Sequence, residues 1–74
     1  MFWKIFFHAR AENGMPASKH YKLETSSPAH AFSHAINYVE RHYKVHLIEI
    51  EDASAKLITR DEWDDDSDGY ERLH

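Results

Sequence analysis

Near its C-terminus the sequence carries three aspartates at alternate positions followed by a glycine, in the pattern Asp64-x-Asp66-x-Asp68-Gly69. Oxygen ligands at alternate positions before a glycine are typical of the first half of a calcium-binding loop. The second half does not follow, because the position of the bidentate glutamate would lie beyond His74 and Glu71 comes too early. We therefore expect no calcium site and interpret these aspartates as part of a solvated acidic segment.

Histidine is the second residue type that could bind a metal, since seven histidines occur among 74 residues. His30 and His34 are four residues apart, a spacing that places both imidazoles on one face of a helix. A zinc site needs a third or fourth ligand, so we predict neither a metal nor any other cofactor. We expect His30, His34, Asn37 and Arg41 to form a polar contact stripe whose charge rises as the pH falls towards about 6.

Residues suited to catalysis are few. Ser33 and His34 are neighbours in sequence, and adjacency does not provide the converging side chains that a nucleophile and its base require. Glu49 and Glu51 alternate onto one face of a predicted strand, where we expect them to face solvent. Gly14 and Gly69 are the two glycines of the chain, so it has no glycine-rich phosphate loop. We predict that the protein is not an enzyme.

Charge is distributed unevenly along the chain. Residues 1–60 carry a formal charge of +2, whereas residues 61–74 carry seven acidic residues and one arginine, a formal charge of −6. Such a segment can imitate the phosphates of a nucleic acid and dock in a groove lined by lysine and arginine, although acidic ends also raise solubility. Two aromatic residues would add anchoring area. The candidate partner-binding residues here are Trp63, Asp64, Asp65, Asp66, Asp68 and Tyr70.

The elements that position these residues follow from the pattern of apolar residues. Alternation indicates strands, and a stripe at helical spacing that contains Ala29, Phe32, Ala35, Ile36, Val39 and Tyr43 indicates a helix. Ser27 is a good N-cap and Pro28 suits the first helical position. In chain order we predict strands at 2–11 and 19–25 with a turn cluster at 12–18 between them, a helix at 28–43, and strands at 44–52 and 55–60 separated by a turn at 53–54.

These elements predict an α+β fold. Four strands and one helix make a two-layer sandwich with a four-stranded, mainly antiparallel sheet in the order β-β-α-β-β. We expect residues 1–60 to form a single domain and residues 61–74 to form an acidic tail that could be flexible. A chain of 74 residues supports one small core, which favours a small binding protein over an enzyme with a deep cleft. It has no cysteine, signal peptide or membrane-spanning run, so we expect a soluble, cytoplasmic protein.

One helix can cover only one face of the sheet. Alternation puts Trp3, Ile5, Phe7 and Ala9 on the covered face and leaves Phe2 and Phe6 on the other. An uncovered aromatic pair suggests an interface, so Phe2 and Phe6 join the candidate partner-binding residues. Two alternatives stay open: the C-terminal segment folds back so that Trp63 or Tyr70 covers them, or the protein forms a homodimer through this face or through an edge strand.

The same face suggests a second function. Lys4, Arg10 and Lys22 lie on the first two strands near Phe2 and Phe6, and basic residues among aromatic residues can bind nucleic acid. A net charge of −4 opposes this reading. Direct binding to nucleic acid is therefore the less favoured alternative.

The segment LETSSPAHAFSHAINYVERHYKVHLIEIED, within residues 20–52, reads as strand, Ser-Ser-Pro cap, helix and strand. This layout resembles that of small phage and mobile-element accessory proteins, some of which are anti-CRISPR or other anti-defence inhibitors. It is also similar to the ββαβ layout of some antitoxins. The resemblance implies a small rigid domain that binds one large host protein. We thus expect a non-enzymatic protein-binding module that inhibits or modulates a larger complex by occlusion, the alternative being a nucleic-acid-binding or antitoxin-type regulator.

Overall fold

The computed structural model describes all residues, 1–74, and contains four strands and two helices in one sheet-and-helix unit. The elements are β1 (Phe2–Ala11), β2 (Pro16–Glu24), α1 (Pro28–Tyr43), β3 (Leu47–Ile58), α2 (Arg60–Asp64) and β4 (Glu71–Arg72). The strands lie in the order β3-β1-β2-β4. β1 runs antiparallel to β2 and β3, whereas β4 runs parallel to β2. The predicted α+β class with a four-stranded sheet and one main helix is confirmed, but the sheet is mixed rather than mainly antiparallel.

The helix α1 begins and ends where local chemistry predicts. The hydroxyl of Ser27 accepts a hydrogen bond from the His30 N–H, and Pro28 occupies the first helical position. The helix ends at Lys44, which adopts a left-handed conformation with φ 55° and donates its N–H to the Glu40 carbonyl. The buried face consists of Ala31, Ala35 and Val39. Ala29 and Tyr43, which the predicted stripe included, are exposed.

The first two strands form a hairpin whose connection is shorter than predicted. β2 begins at Pro16, so that the turn spans residues 12–15 and not 12–18. Gly14 adopts a φ of 84°, which glycine accepts without strain. The Asn13 side chain accepts a hydrogen bond from the Met15 N–H and supports the turn.

The prediction of two strands separated by a turn at Ala53-Ser54 is wrong. Residues 47–58 form the single strand β3, which pairs with the whole of β1. Ala53 lies opposite Phe7 and Ser54 lies opposite Phe6, so the small residues sit beside large aromatic rings and need no break in the strand. The pairing is irregular at two other places. Glu51 is an extra residue of β3 opposite the step from His8 to Ala9, and Ile48 is an extra residue opposite the step from Arg10 to Ala11, so each forms a β-bulge.

The predicted acidic tail is not present as a separate feature, because the C-terminal residues fold onto the sheet. The helix α2 starts after Thr59, whose hydroxyl accepts a hydrogen bond from the Glu62 N–H. Acidic side chains in its first turn, Asp61 and Glu62, suit the positive end of the helix. At the end of the chain Leu73 is only 6% exposed and belongs to the hydrophobic core.

The core lies between α1 and one face of the sheet. Ile5, Phe7 and Ala9 of β1 are fully buried, as the alternation predicts, and Trp3 packs at the edge of the same cluster. Tyr21 and Leu23 of β2 complete the sheet side. The structure contains no helix that is both long enough and apolar enough to span a membrane.

Candidate protein-binding surface

Residues 60–73, which we call the C-terminal cover, fold onto the sheet. The helix α2 and the loop after it lie on the face opposite α1, whereas β4 pairs with β2 at the sheet edge and Leu73 enters the core on the α1 side. The rings of Trp63 and Phe2 lie 5.0 Å apart. Tyr70 makes an edge contact with His20 at 5.4 Å, and His20 in turn lies 4.9 Å from Phe6. Of the alternatives for Phe2 and Phe6, the structure shows the one in which the C-terminal residues fold back. The aromatic residues of the candidate site therefore pack against one another within the molecule.

A fully buried lysine fastens the C-terminal cover to the sheet. The ammonium group of Lys22 donates to the backbone carbonyls of Glu62, at 2.6 Å, and Asp65, at 2.5 Å. It also lies 2.8 Å from Oδ2 of Asp68. Two of the three N–H donors of the ammonium group thus have backbone carbonyl partners, and the nearby carboxylate of Asp68 supplies the opposite charge. The charge is buried without a missing partner, which is the condition under which a lysine tolerates burial.

A second lysine adds to the same fastening. Nζ of Lys4 lies 3.0 Å from Oδ2 of Asp68 and 3.7 Å from a carboxylate oxygen of Glu62. It also sits over the ring of Tyr70, 4.9 Å from the centroid. One carboxylate oxygen of Asp68 thus lies between two ammonium groups, so the contact is chiefly one of charge.

This arrangement shifts the acidity of its members in opposite directions. The hydrogen bond from Lys22, helped by the Tyr70 N–H and by Lys4, holds the pKa of Asp68 well below its usual value despite partial desolvation. The hydrogen bond to Asp68 raises the pKa of Lys4 above its usual value, against the opposing effect of desolvation. Both shifts favour the charged forms, so the ion pairs are present at neutral pH.

The aspartates of the calcium-loop pattern do not converge. Asp64 lies 3.4 Å from Arg60, Asp66 pairs with Arg72, and Asp68 faces the lysines. The Asp65 side chain accepts hydrogen bonds from the N–H and hydroxyl of Ser67, which lower its pKa. No group of three or more His, Cys, Asp or Glu side chains is arranged to hold a metal ion. The loop instead surrounds the ammonium of Lys22 with two carbonyls and one carboxylate.

Four carboxylates of the C-terminal cover point outward, and we call them the acidic surface. Asp61, Asp64, Asp65 and Asp66 are exposed residues. The side chains of Asp64 and Asp66 keep 58% and 79% of their surface accessible even though each contacts an arginine. Exposed pairs of this kind contribute little energy, so the carboxylates can exchange these arginines for the cations of a partner.

The predicted stripe on the helix exists as an exposed row on α1. His30, His34, Asn37 and Arg41 are all exposed. The Nδ1 atom of His30 lies 3.1 Å from the Ser26 hydroxyl, and Nε of Arg41 donates to the Asn37 carbonyl at 3.3 Å. These contacts are local to the helix and its cap. The row lies on α1, whereas the acidic surface lies on the segment that covers the other face of the sheet.

The basic residues proposed for nucleic-acid binding form ion pairs with carboxylates of the same molecule. Lys22 and Lys4 are held by Asp68, as described above. Nε of Arg10 donates to Glu51 at 3.0 Å, and His8 lies 3.4 Å from the same carboxylate. Phe2 and Phe6, which would stack on bases, lie beneath the C-terminal cover or beside it. No geometric feature of this face favours the nucleic-acid alternative.

Three features of the surface escaped the sequence analysis. Lys22 is fully buried, although alternation places it on the sheet face opposite Tyr21 and Leu23, where a basic residue is expected to be exposed. The strand β3 carries exposed apolar side chains that its edge position leaves uncovered. A cavity of about 160 Å³ lies where the hairpin turn meets the end of α1, lined in part by Met15, Tyr43 and Val45. The exposed apolar residues of β3 could be suspected from the sequence, whereas the burial of Lys22 depends on residues 40 or more positions away and no sequence pattern signals the cavity.

Comparison with protein-family models, with curated proteins and with solved structures finds no match for this chain. The class that the fold and surface define is therefore that of a small two-layer α+β domain with an acidic C-terminal cover.

Proposed function

We propose that this protein is a non-enzymatic binding module that docks on a basic surface of a larger, nucleic-acid-handling protein and blocks it by occlusion. The observation that carries the proposal is the way the acidic surface is held. Its outward carboxylates belong to a segment whose inner side is fixed by Lys22, by the Trp63–Phe2 contact and by the buried Leu73. The charges are thus presented on a scaffold and not on a loose end.

Fixing the charges in advance favours tight binding. A flexible acidic tail would lose conformational freedom when it docked, and this loss would oppose association. The C-terminal cover loses that freedom when the protein folds. In this proposal Phe2, Trp63, Tyr70 and Asp68 support the surface from within, and Asp61, Asp64, Asp65 and Asp66 contact the partner.

Occlusion follows from the sign and density of the charge. A groove that binds nucleic acid is lined by lysine and arginine and normally neutralises phosphates. Carboxylates exposed on one short, folded segment would compete for those same cations. The resemblance of the element layout to anti-defence accessory proteins is compatible with an inhibitor of a host complex of this kind.

The test is a pull-down from nuclease-treated bacterial lysate with the full chain and a fourfold variant, Asp61→Asn, Asp64→Asn, Asp65→Asn and Asp66→Asn. We expect the full chain to capture a nucleic-acid-binding protein and the variant to lose it. Added DNA or RNA should displace the captured protein from the full chain. Raising the salt concentration should also weaken the complex, since exposed charges are screened over about 8–10 Å near physiological ionic strength.

Substitution is preferable to deletion here, because removing the C-terminal residues would also remove Leu73 from the core. A control neutralises three exposed acidic residues outside the C-terminal cover, at Glu12, Glu24 and Asp52. It should retain the partner. Equal loss in the control, or a captured protein that nucleic acid does not displace, would contradict docking through the acidic surface.

A further inference from the structure

The outer edge of β3 has no neighbouring strand. The sheet order places β3 at one end, where its pairing with β1 uses one side of the strand only. The strand is 12 residues long, and three of its apolar side chains are exposed: Ile48 at 60%, Ile50 at 42% and Leu57 at 53%. A long, exposed edge strand with apolar side chains is a ready template for pairing with another strand.

We propose that the occupant of this edge is a second copy of the chain, and that two β3 strands pair antiparallel across a two-fold axis. The two sheets would then form one continuous sheet of eight strands. This inference concerns a different surface from the acidic one, so it does not depend on the proposed function.

The charge pattern of β3 favours its own reversed copy. The first half of the strand carries Glu49, Glu51 and Asp52, whereas the second half carries Lys56. Antiparallel pairing places the acidic half of each copy beside the basic half of the other, and parallel pairing would place like charges together. Apolar residues occur at both ends of the strand, so reversal also brings apolar ends together.

The pairing of β3 with β1 indicates a register. Ile50 and Ala55 lie opposite Ala9 and Ile5, whose side chains point to the α1 side. Glu49 and Lys56 lie opposite Arg10 and Lys4, on the other side. We place the two-fold axis at Ala53, so that Ala53 faces its own copy. Glu51, which has no partner on β1, is left out of the new pairing as well. Ile50 then faces Ala55 of the second copy, and Glu49 faces Lys56 of the second copy. Every pair then lies on a common face of the continuous sheet.

Lys56 and Glu49 each lack an opposite charge within one molecule. Lys56 forms no salt bridge and stands opposite another cation, Lys4, across the β1–β3 pair. Glu49 forms none either, because Arg10 is engaged by Glu51. The second copy supplies what each one lacks. The small residues Ala53, Ser54 and Ala55 at the centre of the strand leave room for the close approach of two backbones.

The test is a charge swap read by sedimentation or light scattering. The natural chain should have twice the single-chain mass of 8.8 kDa. Glu49→Lys and Lys56→Glu each convert two attractive pairs into two repulsive ones, so each variant alone should raise the dimer dissociation constant about tenfold or more. The double variant should restore the dimer, and an equimolar mixture of the two single variants should form heterodimers.

The control is Glu12→Lys, which makes the same charge change at an exposed turn residue and should stay dimeric. Circular dichroism checks that each variant is folded. A natural chain that remains monomeric up to about 1 mM would overturn the proposal. Dimers that persist in both single variants would overturn the register and with it the assignment of the interface to β3.

Discussion

Lys22 is the residue on which the placement of the C-terminal cover depends most. Its side chain is inaccessible to solvent, and its ammonium group donates to two carbonyls of that segment and lies 2.8 Å from the carboxylate of Asp68. A buried charge is costly when unpaired, but removing one member of a buried pair is also costly, because it strands the other. The contact therefore specifies one position for the segment.

Replacing Lys22 by methionine should destabilise the protein by about 3 kcal/mol, the lower end of the range for breaking a buried ion pair. The methionine fills similar volume but leaves the carbonyls of Glu62 and Asp65 without their donor and leaves Asp68 with Lys4 as its one remaining ammonium partner. The control is Lys44→Met at the exposed C-cap of α1, where loss of a positive charge at the helix C-terminus should cost no more than about 1 kcal/mol. Urea unfolding measures both. If the free energy of unfolding falls no more for Lys22→Met than for the control, then the contacts of Lys22 do not hold the C-terminal cover in place.

The lowered pKa of Asp68 predicts a loss of stability in acid. A carboxyl whose pKa is lower in the folded than in the unfolded state stabilises the fold above its unfolded value, about 3.9. That stability is lost as the pH falls through the folded value. The urea midpoint of the natural protein should therefore decline below about pH 4. The Asp68→Asn variant should have a lower midpoint at neutral pH and a smaller decline in acid. Asp61→Asn, at an exposed position, should leave the decline in place, and equal flattening in both variants would refute the assignment to Asp68.

At the scale of elements, the parts set by local chemistry could be predicted and the parts set by distant contacts could not. The helix α1 has a serine cap, a proline at its first position and an apolar stripe, so its bounds follow from the sequence. The strand β1 follows from strict alternation. By contrast β4 has two residues and exists because it pairs with β2. No periodic pattern can appear in so short a strand.

The same reasoning explains the errors in β3 and in the candidate site. Ala53-Ser54 resembles a turn locally, but pairing with β1 keeps the strand continuous there. The aspartates near the C-terminus resemble a calcium loop because alternate carboxylates are common to several structures. Asp68, the one that faces inward, pairs with Lys22, which lies 46 positions earlier in the chain. Sequence spacing cannot reveal such a contact.

At the scale of the whole molecule, the acidic residues near the C-terminus divide into one that is paired inside the fold and several that are exposed on the surface. Asp68 is used within the fold, where it faces Lys4 and Lys22. The exposed aspartates stay on the outer side of the same segment. The protein can therefore gain stability from Asp68 while the exposed aspartates, which make only surface contacts with Arg60, Arg72 and Ser67, stay accessible to a partner.

Hydrogen exchange tests most directly whether the C-terminal cover and the rest of the domain unfold as one cooperative unit. The Leu73 N–H donates to the Lys22 carbonyl at 2.9 Å, at the end of the segment farthest from β3 along the chain. We predict that this amide exchanges only when the whole molecule unfolds, with the same free energy as amides in the centre of β1. If the Leu73 amide exchanges as fast as that of an unstructured peptide while β1 stays protected, then the segment is a mobile tail and does not hold the acidic surface in a fixed position.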